Sequence, residues 1–297
     1  MKKWTDYSIQ TVEYDQKNYP RRIKEVGDVP RKLYYRGDLN NELLSNCVAI
    51  VGSRRMSRYG RSVAERFASD LVSHGVTVIS GFMYGIDIVA HSTTVEEMGR
   101  TIAVIGGGID NIYPADCEKL YTAILREKGV ILSEFSPEQK PKPWMYAKRN
   151  RIVAALANLG VIVIEAGEKS GSLLTAEYAI KLRRPLYAVP GQINSETSKG
   201  TNWLIKSGKA KLITSVEDIS GMNKLKINNF ENKKMSSPLS PSKNVILDLL
   251  KTEGTPLAMD EIVHMTGLGV TEVSSQISLL HLQGLVDEIN GKYAVKI

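Results

Sequence analysis

The sequence predicts an α/β protein in which a doubly wound parallel sheet is followed by a winged helix-turn-helix. Between residues 48 and about 220, short apolar runs rich in Val and Ile alternate with segments of helical periodicity. Residues 222–241 then become polar and end in Ser and Pro, which is typical of a linker. Residues 242–297 combine three helical segments with an Asn290-Gly291 hairpin signal, the pattern of a winged helix.

Six apolar runs are the predicted strands of the sheet. Their nearly continuous hydrophobicity is typical of strands buried on both faces. The predicted strands are 48–51, 76–79, 101–105, 130–132, 161–164 and 186–189. The predicted helices between and after them are 61–74, 86–98, 116–128, 149–157 and 172–182. Such alternation implies parallel strands joined by crossover helices.

Four regions follow from this pattern. Residues 1–47 are mixed and polar, with a candidate strand at 33–35, and we expect a lead-in that packs on the main domain without forming a separate SAM-like domain. Residues 48–221 form the sheet domain, 222–241 the linker and 242–297 the winged helix. The three predicted helices of the last region are 245–250, 259–265 and 273–282.

Composition limits the classes of function. The 297 residues carry a formal net charge of +7, yet residues 242–297 hold only four basic residues against seven acidic ones, so the rest of the chain carries +10. A localised positive charge favours a nucleic-acid partner. Two cysteines exclude a disulfide framework, and we expect neither metal nor cofactor. No apolar run reaches membrane-spanning length and no signal peptide is visible, so we expect a cytoplasmic protein.

Four turns of small residues fall at the predicted carboxyl ends of strands, where open α/β sheets bind ligands. They are Gly52-Ser53, Ser80-Gly81, the three glycines at 106–108, and Ser170-Gly171-Ser172. Each can offer backbone N–H groups to a phosphate, although α/β turns also favour glycine for purely structural reasons. None has the spacing of a dinucleotide or ATP loop. The first turn leads into a helix N-terminus among Arg54, Arg55, Arg58 and Arg61, which predicts an anion site for something larger than one phosphate.

A second basic cluster spans residues 140–151. It has five cations and no acid, with Trp144 and Tyr146 interleaved, and its Lys148-Arg149-Asn150-Arg151 segment is predicted to open a helix. Cations beside aromatic rings suit a single nucleic-acid strand, whose phosphates follow the charges and whose bases stack on the rings. Filling of the core is the alternative role for the two rings.

Few other residues are candidates for catalysis. Glu165 and Glu177 could form an acid/base pair, whereas a structural role is favoured for His91 and a helix-start role for Asp87. The predicted recognition helix of the winged unit contains no Lys or Arg. Because groove-binding helices bring cations to phosphates, we expect a protein-contact or accessory role for this unit.

These motifs resemble the DprA/Smf family, the DNA-processing proteins of bacterial natural transformation. The resemblance covers residues 19–220 and continues into the winged helix. It rests on the segments 48–54, 80–81 with 85–87 and 90–91, 106–114, 133–134, 148–152, 170–176, 189–191 and 200–205. It implies an extended Rossmann domain that binds single-stranded DNA without base specificity, forms homodimers and hands the strand to the recombinase RecA.

The resemblance also implies particular contacts. Arg54 and Lys148 would be the main strand contacts, with main-chain contacts from Gly52, Ser53, Ser170 and Gly171. The full predicted nucleic-acid-binding set is Gly52, Ser53, Arg54, Arg55, Arg58, Gly81, Gly107, Lys148, Arg149, Asn150, Arg151, Ser170, Gly171 and Ser172. The chain departs from the family pattern at Tyr84, where an arginine is usual, at Tyr146-Ala147 in place of Phe-Pro, and in lacking the N-terminal helical domain of many members.

Two other functions remain to be weighed against strand binding. A nucleoside-monophosphate phosphoribohydrolase of the related Rossmann group would keep Glu177 but needs a glycine-rich cradle that the segment 169–177 lacks. A transcription regulator would need a basic recognition helix. We therefore predict a single-stranded DNA-binding protein without catalysis.

Overall fold

The computed structural model describes residues 3–222, 225, 241–282, 285–289 and 291–295. A nine-stranded sheet dominates it, in the order β1-β2-β6-β5-β4-β3-β7-β8-β9. Its strands are β1 (Gln10–Glu13), β2 (Lys32–Gly37), β3 (Cys47–Val51), β4 (Thr77–Ser80), β5 (Thr101–Val104), β6 (Val130–Ser133), β7 (Gly160–Val163), β8 (Leu186–Ala188) and β9 (Lys211–Leu212). All six predicted strands are present.

The sheet is mixed, not purely parallel. Strands β3 to β9 pair in parallel, with Ala49 of β3 aligned to Ile79 of β4 and to Val161 of β7. Strand β2 pairs antiparallel with β6, and β1 pairs antiparallel with β2. The α/β fold class is therefore confirmed, and the candidate strand at 33–35 lies within β2. The sequence pattern did not reveal β1 or the antiparallel pairing of these two strands. Strand β1 shows a single buried side chain, that of Val12, so it carried little apolar signal.

Six α-helices accompany the sheet in the part of the first unit that the structure describes. They are α1 (Arg58–Ser73), α2 (Ile86–Glu96), α3 (Glu118–Arg126), α4 (Pro143–Leu156), α5 (Ser172–Lys181) and α6 (Lys199–Lys206). Helix α4 begins at Pro143, so the prediction that Arg149 opens this helix was wrong. Proline suits the first helical position because its missing N–H is not needed there and its φ is already helical.

Both faces of the central strands β3 to β8 are buried, as the continuous apolar runs predicted. Alternate residues of β3 face opposite sides: Ala49 and Val51 join the cluster that contains residues of α4 and α5, whereas Val48 and Ile50 join the one with α1 and α2. This arrangement fixes the directions of α4 and α5, whose N-termini belong to the site described below.

The chain divides into two units, Met1–Asn229 and Phe230–Ile297. Most of the predicted linker lies outside the described residues. The second unit contains α7 (Pro241–Glu253), β10 (Leu257–Ala258), α8 (Met259–Thr266), α9 (Val270–Leu282), β11 (Val286–Ile289) and β12 (Lys292–Val295). Ile246, Ile262, Val273 and Ile277 pack together in its core. This is a winged helix, whose wing strands β11 and β12 pair antiparallel; Asn290 of the predicted hairpin signal lies outside the described residues. No helix among the described residues is long and apolar enough to span a membrane.

Candidate nucleic-acid interface

A cleft of about 760 Å³ opens at the carboxyl ends of the central strands. The chain passes from β3 through β4, β5 and β6 and then returns to β7 on the other side of β3. The loops that follow β3 and β7 therefore diverge, and such a switch point is where open α/β sheets bind ligands. The cleft is lined by residues 51–55, Gly81, Met83, Asp87, six residues of α4 (Pro143, Tyr146, Ala147, Arg149, Asn150 and Val153), residues 167 and 169–172, Leu174, Thr175, and 196–197.

The turn after β3 supplies two exposed cations, Arg54 and Arg55. Gly52 allows the turn to lie against its neighbours, because an added Cβ there would come within 2.6 Å of Ile86 Cγ1. The amide of Ile86 donates a hydrogen bond to the Ser53 carbonyl at 3.2 Å, which fastens the turn to the start of α2. The two arginines thus extend from a rigid turn.

The N-terminus of α1 is not the anion site that the sequence predicted, because a carboxylate of the chain itself already occupies it. The Ser57 amide donates to Glu165 Oε2 at 2.8 Å, and the Ser57 hydroxyl donates to Oε1. Thr197 also donates to Oε1 at 3.1 Å. An added Cβ at Gly60 would lie 2.2 Å from this carboxylate, so glycine makes room for it. Arg58 is exposed on α1 and does not line the cleft.

Helix α5 instead directs its N-terminus at the cleft. Ser172 is its first residue, and the hydroxyls of Ser170 and Ser172 are 2.8 Å apart. Asn150 Nδ2 donates to the Gly171 carbonyl at 3.2 Å, which joins this turn to α4. The free N–H groups and dipole of a helix N-terminus favour an anion. Lys169 adds an exposed cation that the sequence analysis missed, although it directly precedes the predicted turn.

Arg149 lies beneath the floor of the cleft and is only 3% exposed. Its guanidinium donates to the carbonyls of Gly81 and Val104, so it holds together the ends of β4 and β5. Burial lowers the pKa of Arg149 to about 10 and raises that of neighbouring Asp87 to about 6. We therefore reassign Arg149 from a strand contact to a positioning residue under Gly81.

Arg151 and Lys148 face away from the cleft. Arg151 is 4% exposed, and its Nη2 donates to Glu134 Oε2 at 2.7 Å and to the Asp28 carbonyl at 2.8 Å. Lys148 Nζ lies 2.8 Å from Asp28 Oδ2, and this contact raises the pKa of Lys148 and lowers that of Asp28. The helical period explains the division, because cleft-lining Tyr146 and Asn150 are on one side of α4 and residues 148 and 151 on the other. We remove Arg151 and Lys148 from the cleft contacts.

The glycine turn at 106–108 is also absent from the cleft lining. Tyr146 covers Gly106, and Pro141 lies 3.0 Å from the position of an added Cβ at Gly107. The Gly107 carbonyl accepts a hydrogen bond from the Ser133 hydroxyl, and the residue is buried. Gly107 is thus corrected from a ligand contact to a packing position. The other three turns do line the cleft.

The aromatic residues of the second cluster take different positions. Tyr146 lines the cleft and lies 5.7 Å, ring centroid to guanidinium carbon, from Arg54. Trp144 is 54% exposed and meets Phe135 in an edge contact with centroids 5.8 Å apart. Neither ring is a core plug. Tyr146 adds a partly exposed aromatic surface beside the cations.

Positive charge dominates the cleft. Among the described residues, none forms an ion pair with Arg54, Arg55 or Lys169. The one exposed acid in the lining, Glu196, is paired with Lys199 at 2.6 Å. Cations left unpaired in a concave site attract an anion and release its counterions.

The catalytic candidates do not come together in the cleft. Glu165 is buried and engaged by Ser57 and Thr197, and Glu177 is exposed on α5 outside the cleft lining. His91 is buried, with Nδ1 2.7 Å from Thr101 Oγ1, and burial lowers its pKa to about 3. Within the described ranges, no group of three or more His, Cys, Asp or Glu side chains could hold a metal ion.

Two family profiles match this chain. One is described as DNA recombination-mediator protein A and covers residues 10–224, and the other as the DprA winged helix domain and covers residues 232–292. Protein Smf of Escherichia coli is 34% identical over 284 residues, which is 94% of this chain and 75% of that protein. The DNA processing protein DprA of Bacillus subtilis is 37% identical over 216 residues, or 73% and 72% of the two chains.

Two solved structures of proteins from the same family are similar to this chain. The DNA processing protein A of Streptococcus pneumoniae superposes with a TM-score of 0.66 at 37% identity, covering 73% of this chain and 74% of that one. The Helicobacter pylori protein of the same name, whose structure is described for its single-stranded DNA binding mode, gives 0.65 at 33% identity, covering 75% and 98%.

Proposed function

Because this chain belongs to the DNA recombination-mediator protein A family, also called DprA or Smf, we propose that it binds single-stranded DNA without base specificity in the cleft. The observation that carries the proposal is that Arg54, Arg55 and Lys169, all exposed and none of them in an ion pair among the described residues, line the same cleft as the α5 N-terminus. The Helicobacter pylori relative, described as a single-stranded DNA-binding protein, supports the same ligand.

The geometry favours a strand over a nucleotide cofactor. In a dinucleotide fold the pyrophosphate lies on the helix N-terminus after the first strand. Here the Glu165 carboxylate fills that position at Ser57, and a second anion beside it would be repelled. The remaining cations and the Tyr146 ring line an open cleft, which suits a chain of phosphates and unpaired bases.

We place this binding within DNA processing during natural transformation. In this proposal the protein protects incoming single strands and loads RecA onto them, as the family resemblance implies.

The chain acts as a homodimer. The family resemblance implies a dimer surface formed by α5 and the strand that follows it, β8. Strand β8 is internal between β7 and β9, so β9 provides the sheet edge. Edge strands carry unpaired backbone groups that a second copy can meet, and Leu212 of β9 is 45% exposed. Sedimentation of the full chain tests the dimer.

The proposal contains no catalytic step. The phosphoribohydrolase alternative needs a carboxylate at the reacting ribose, and Glu177, which it would use, is exposed on α5 outside the cleft lining. Release of free base from a nucleoside monophosphate incubated with the protein would establish the enzyme instead.

Fluorescence anisotropy with a labelled oligo(dT) and with duplex DNA of similar length tests the proposal. The Arg54→Glu/Lys169→Glu variant changes two cleft cations, and Arg58→Glu/Arg61→Glu makes the same charge change on exposed residues of α1 outside the cleft. We expect the single strand to bind more tightly than the duplex. The cleft variant should lose at least about tenfold in affinity and the control variant clearly less. Equal losses in both variants, or equal affinity for the duplex, would overturn the proposal.

A further inference from the structure

Three tyrosines from separate segments form a row that begins in the cleft. Tyr146 of α4 lines the cleft, Tyr113 follows β5, and Tyr84 follows β4. The Tyr146 and Tyr113 ring centroids are 5.9 Å apart, and those of Tyr113 and Tyr84 are 6.3 Å apart. Arg54 approaches the Tyr146 ring, so the cationic and aromatic surfaces are continuous.

The outer two rings are well exposed for large aromatic side chains. Tyr84 is 45% exposed and Tyr113 44% exposed, whereas Tyr121 and Tyr187 are buried in the core. Neighbouring exposed rings mark a binding surface more often than isolated ones do. Nucleic-acid strands use such surfaces because every base has a π-face that can stack on a ring.

The local charge indicates which part of a strand would lie there. The Tyr84 hydroxyl donates to Asp116 Oδ1 at 3.2 Å, which places a carboxylate beside the outer end of the row. Phosphates would be repelled from this carboxylate, but uncharged bases would not. The planes of neighbouring rings are inclined by 76° and 49°, so each base would stack on its own ring and not in one continuous column.

We propose that Tyr84 and Tyr113 form a base-stacking extension of the cleft, which holds the unpaired bases of a DNA strand as it leaves past Tyr146. This inference rests on the proposed function, since it concerns the continuation of the same strand. The phosphates remain on the side of Arg54, and the two outer rings bind bases without adding charge. The extension therefore increases affinity for longer strands only, and it leaves the salt dependence unchanged.

Anisotropy titrations with oligo(dT) from about 4 to about 16 nucleotides test this proposal. The Tyr84→Ala/Tyr113→Ala variant removes both rings, and Tyr84→Phe/Tyr113→Phe keeps the rings while removing the hydroxyls. We expect the alanine variant to bind the longest oligonucleotide about tenfold more weakly and the shortest with unchanged affinity. The phenylalanine variant should stay within about twofold of the parent chain on both.

A second arm replaces the bases at either end of the long oligonucleotide with abasic tetrahydrofuran residues, which keep the phosphates. The oligonucleotide whose abasic end reaches Tyr84 and Tyr113 should bind the parent chain about tenfold more weakly than intact DNA does. The alanine variant, which lacks both rings, should bind this oligonucleotide as tightly as it binds intact DNA. Unchanged affinity of the alanine variant for long strands, an equal loss on short strands, or an equal loss in the phenylalanine variant would overturn the proposal. The Arg54→Glu/Lys169→Glu variant distinguishes failure of this inference from failure of the proposed function, because it should lose affinity for oligonucleotides of every length. If it does not, the cleft is not the DNA-binding site.

Discussion

Replacing Arg54 with alanine should weaken the salt dependence of DNA binding by an amount that follows from the number of exposed cations in the cleft. Three exposed cations, Arg54, Arg55 and Lys169, line the cleft. Each phosphate contact on a single strand contributes about −0.7 to the slope of log affinity against log salt, so the parent chain should show a slope of about −2. A rise from about 50 to about 200 mM salt then lowers its affinity about 20-fold, against about sevenfold for Arg54→Ala.

Anisotropy titrations of a labelled oligo(dT) at four or more salt concentrations measure both slopes. Arg58→Ala is the matched control, because it removes an exposed arginine from the same segment but outside the cleft lining. Its slope should equal that of the parent chain. If Arg58→Ala flattens the slope as much as Arg54→Ala does, the phosphates do not follow the cleft, and the reasoning from its lining residues is refuted.

Three further predictions concern stability. Arg151→Ala should lower the free energy of unfolding by about 3 kcal/mol, the lower end for a broken buried pair, because it leaves the buried Glu134 carboxylate only Lys148, whose Nζ lies 3.5 Å from Oε2. Gly52→Ala should cost about 1–3 kcal/mol, since the new methyl would lie 2.6 Å from a side-chain carbon of α2, whereas Gly171→Ala, with nothing within 4 Å, should cost little. The folded-state pKa of His91, about 3, lies below its ordinary value of 6.5, so only the unfolded chain takes up a proton between them. Unfolding free energy should therefore fall by about 1.4 kcal/mol per pH unit below 6.5, and His91→Gln should remove this part of the acid sensitivity.

Urea unfolding, followed by circular dichroism, measures all three effects. An Arg151→Ala variant as stable as the parent chain would contradict the interior ion pair, and losses of equal size in the two glycine variants would contradict the tight approach at Gly52. For His91, the stability difference between pH 7 and pH 5 should be about 2 kcal/mol smaller in the glutamine variant than in the parent chain. An unchanged difference would mean that the buried imidazole is not the source of this acid sensitivity.

Much of the site could be predicted because glycine- and serine-rich turns mark the ends of apolar strands. Gly52, Gly81 and the turn at Ser170 all line the cleft, as the alternation of strands and helices indicated. The same logic failed at Gly107, where another part of the chain covers the turn. It also failed at the α1 N-terminus, because Glu165, distant in sequence, supplies the anion there.

The sequence by itself determined the α/β class, the winged helix and the edge of the sheet that carries the cleft. These depend on local patterns: apolar runs of strand length, helical periodicity and turn residues, all of which can be recognised within short windows. The roles of the cations in the basic segment 148–151 could not be predicted from local patterns. Its cations look equivalent in sequence, yet Arg149 holds strand ends under the cleft, whereas Arg151 pairs with Glu134 in the interior. Only the tertiary structure decided this, because the role of a charged helical residue depends on which face it occupies and on partners brought to that face from far along the chain.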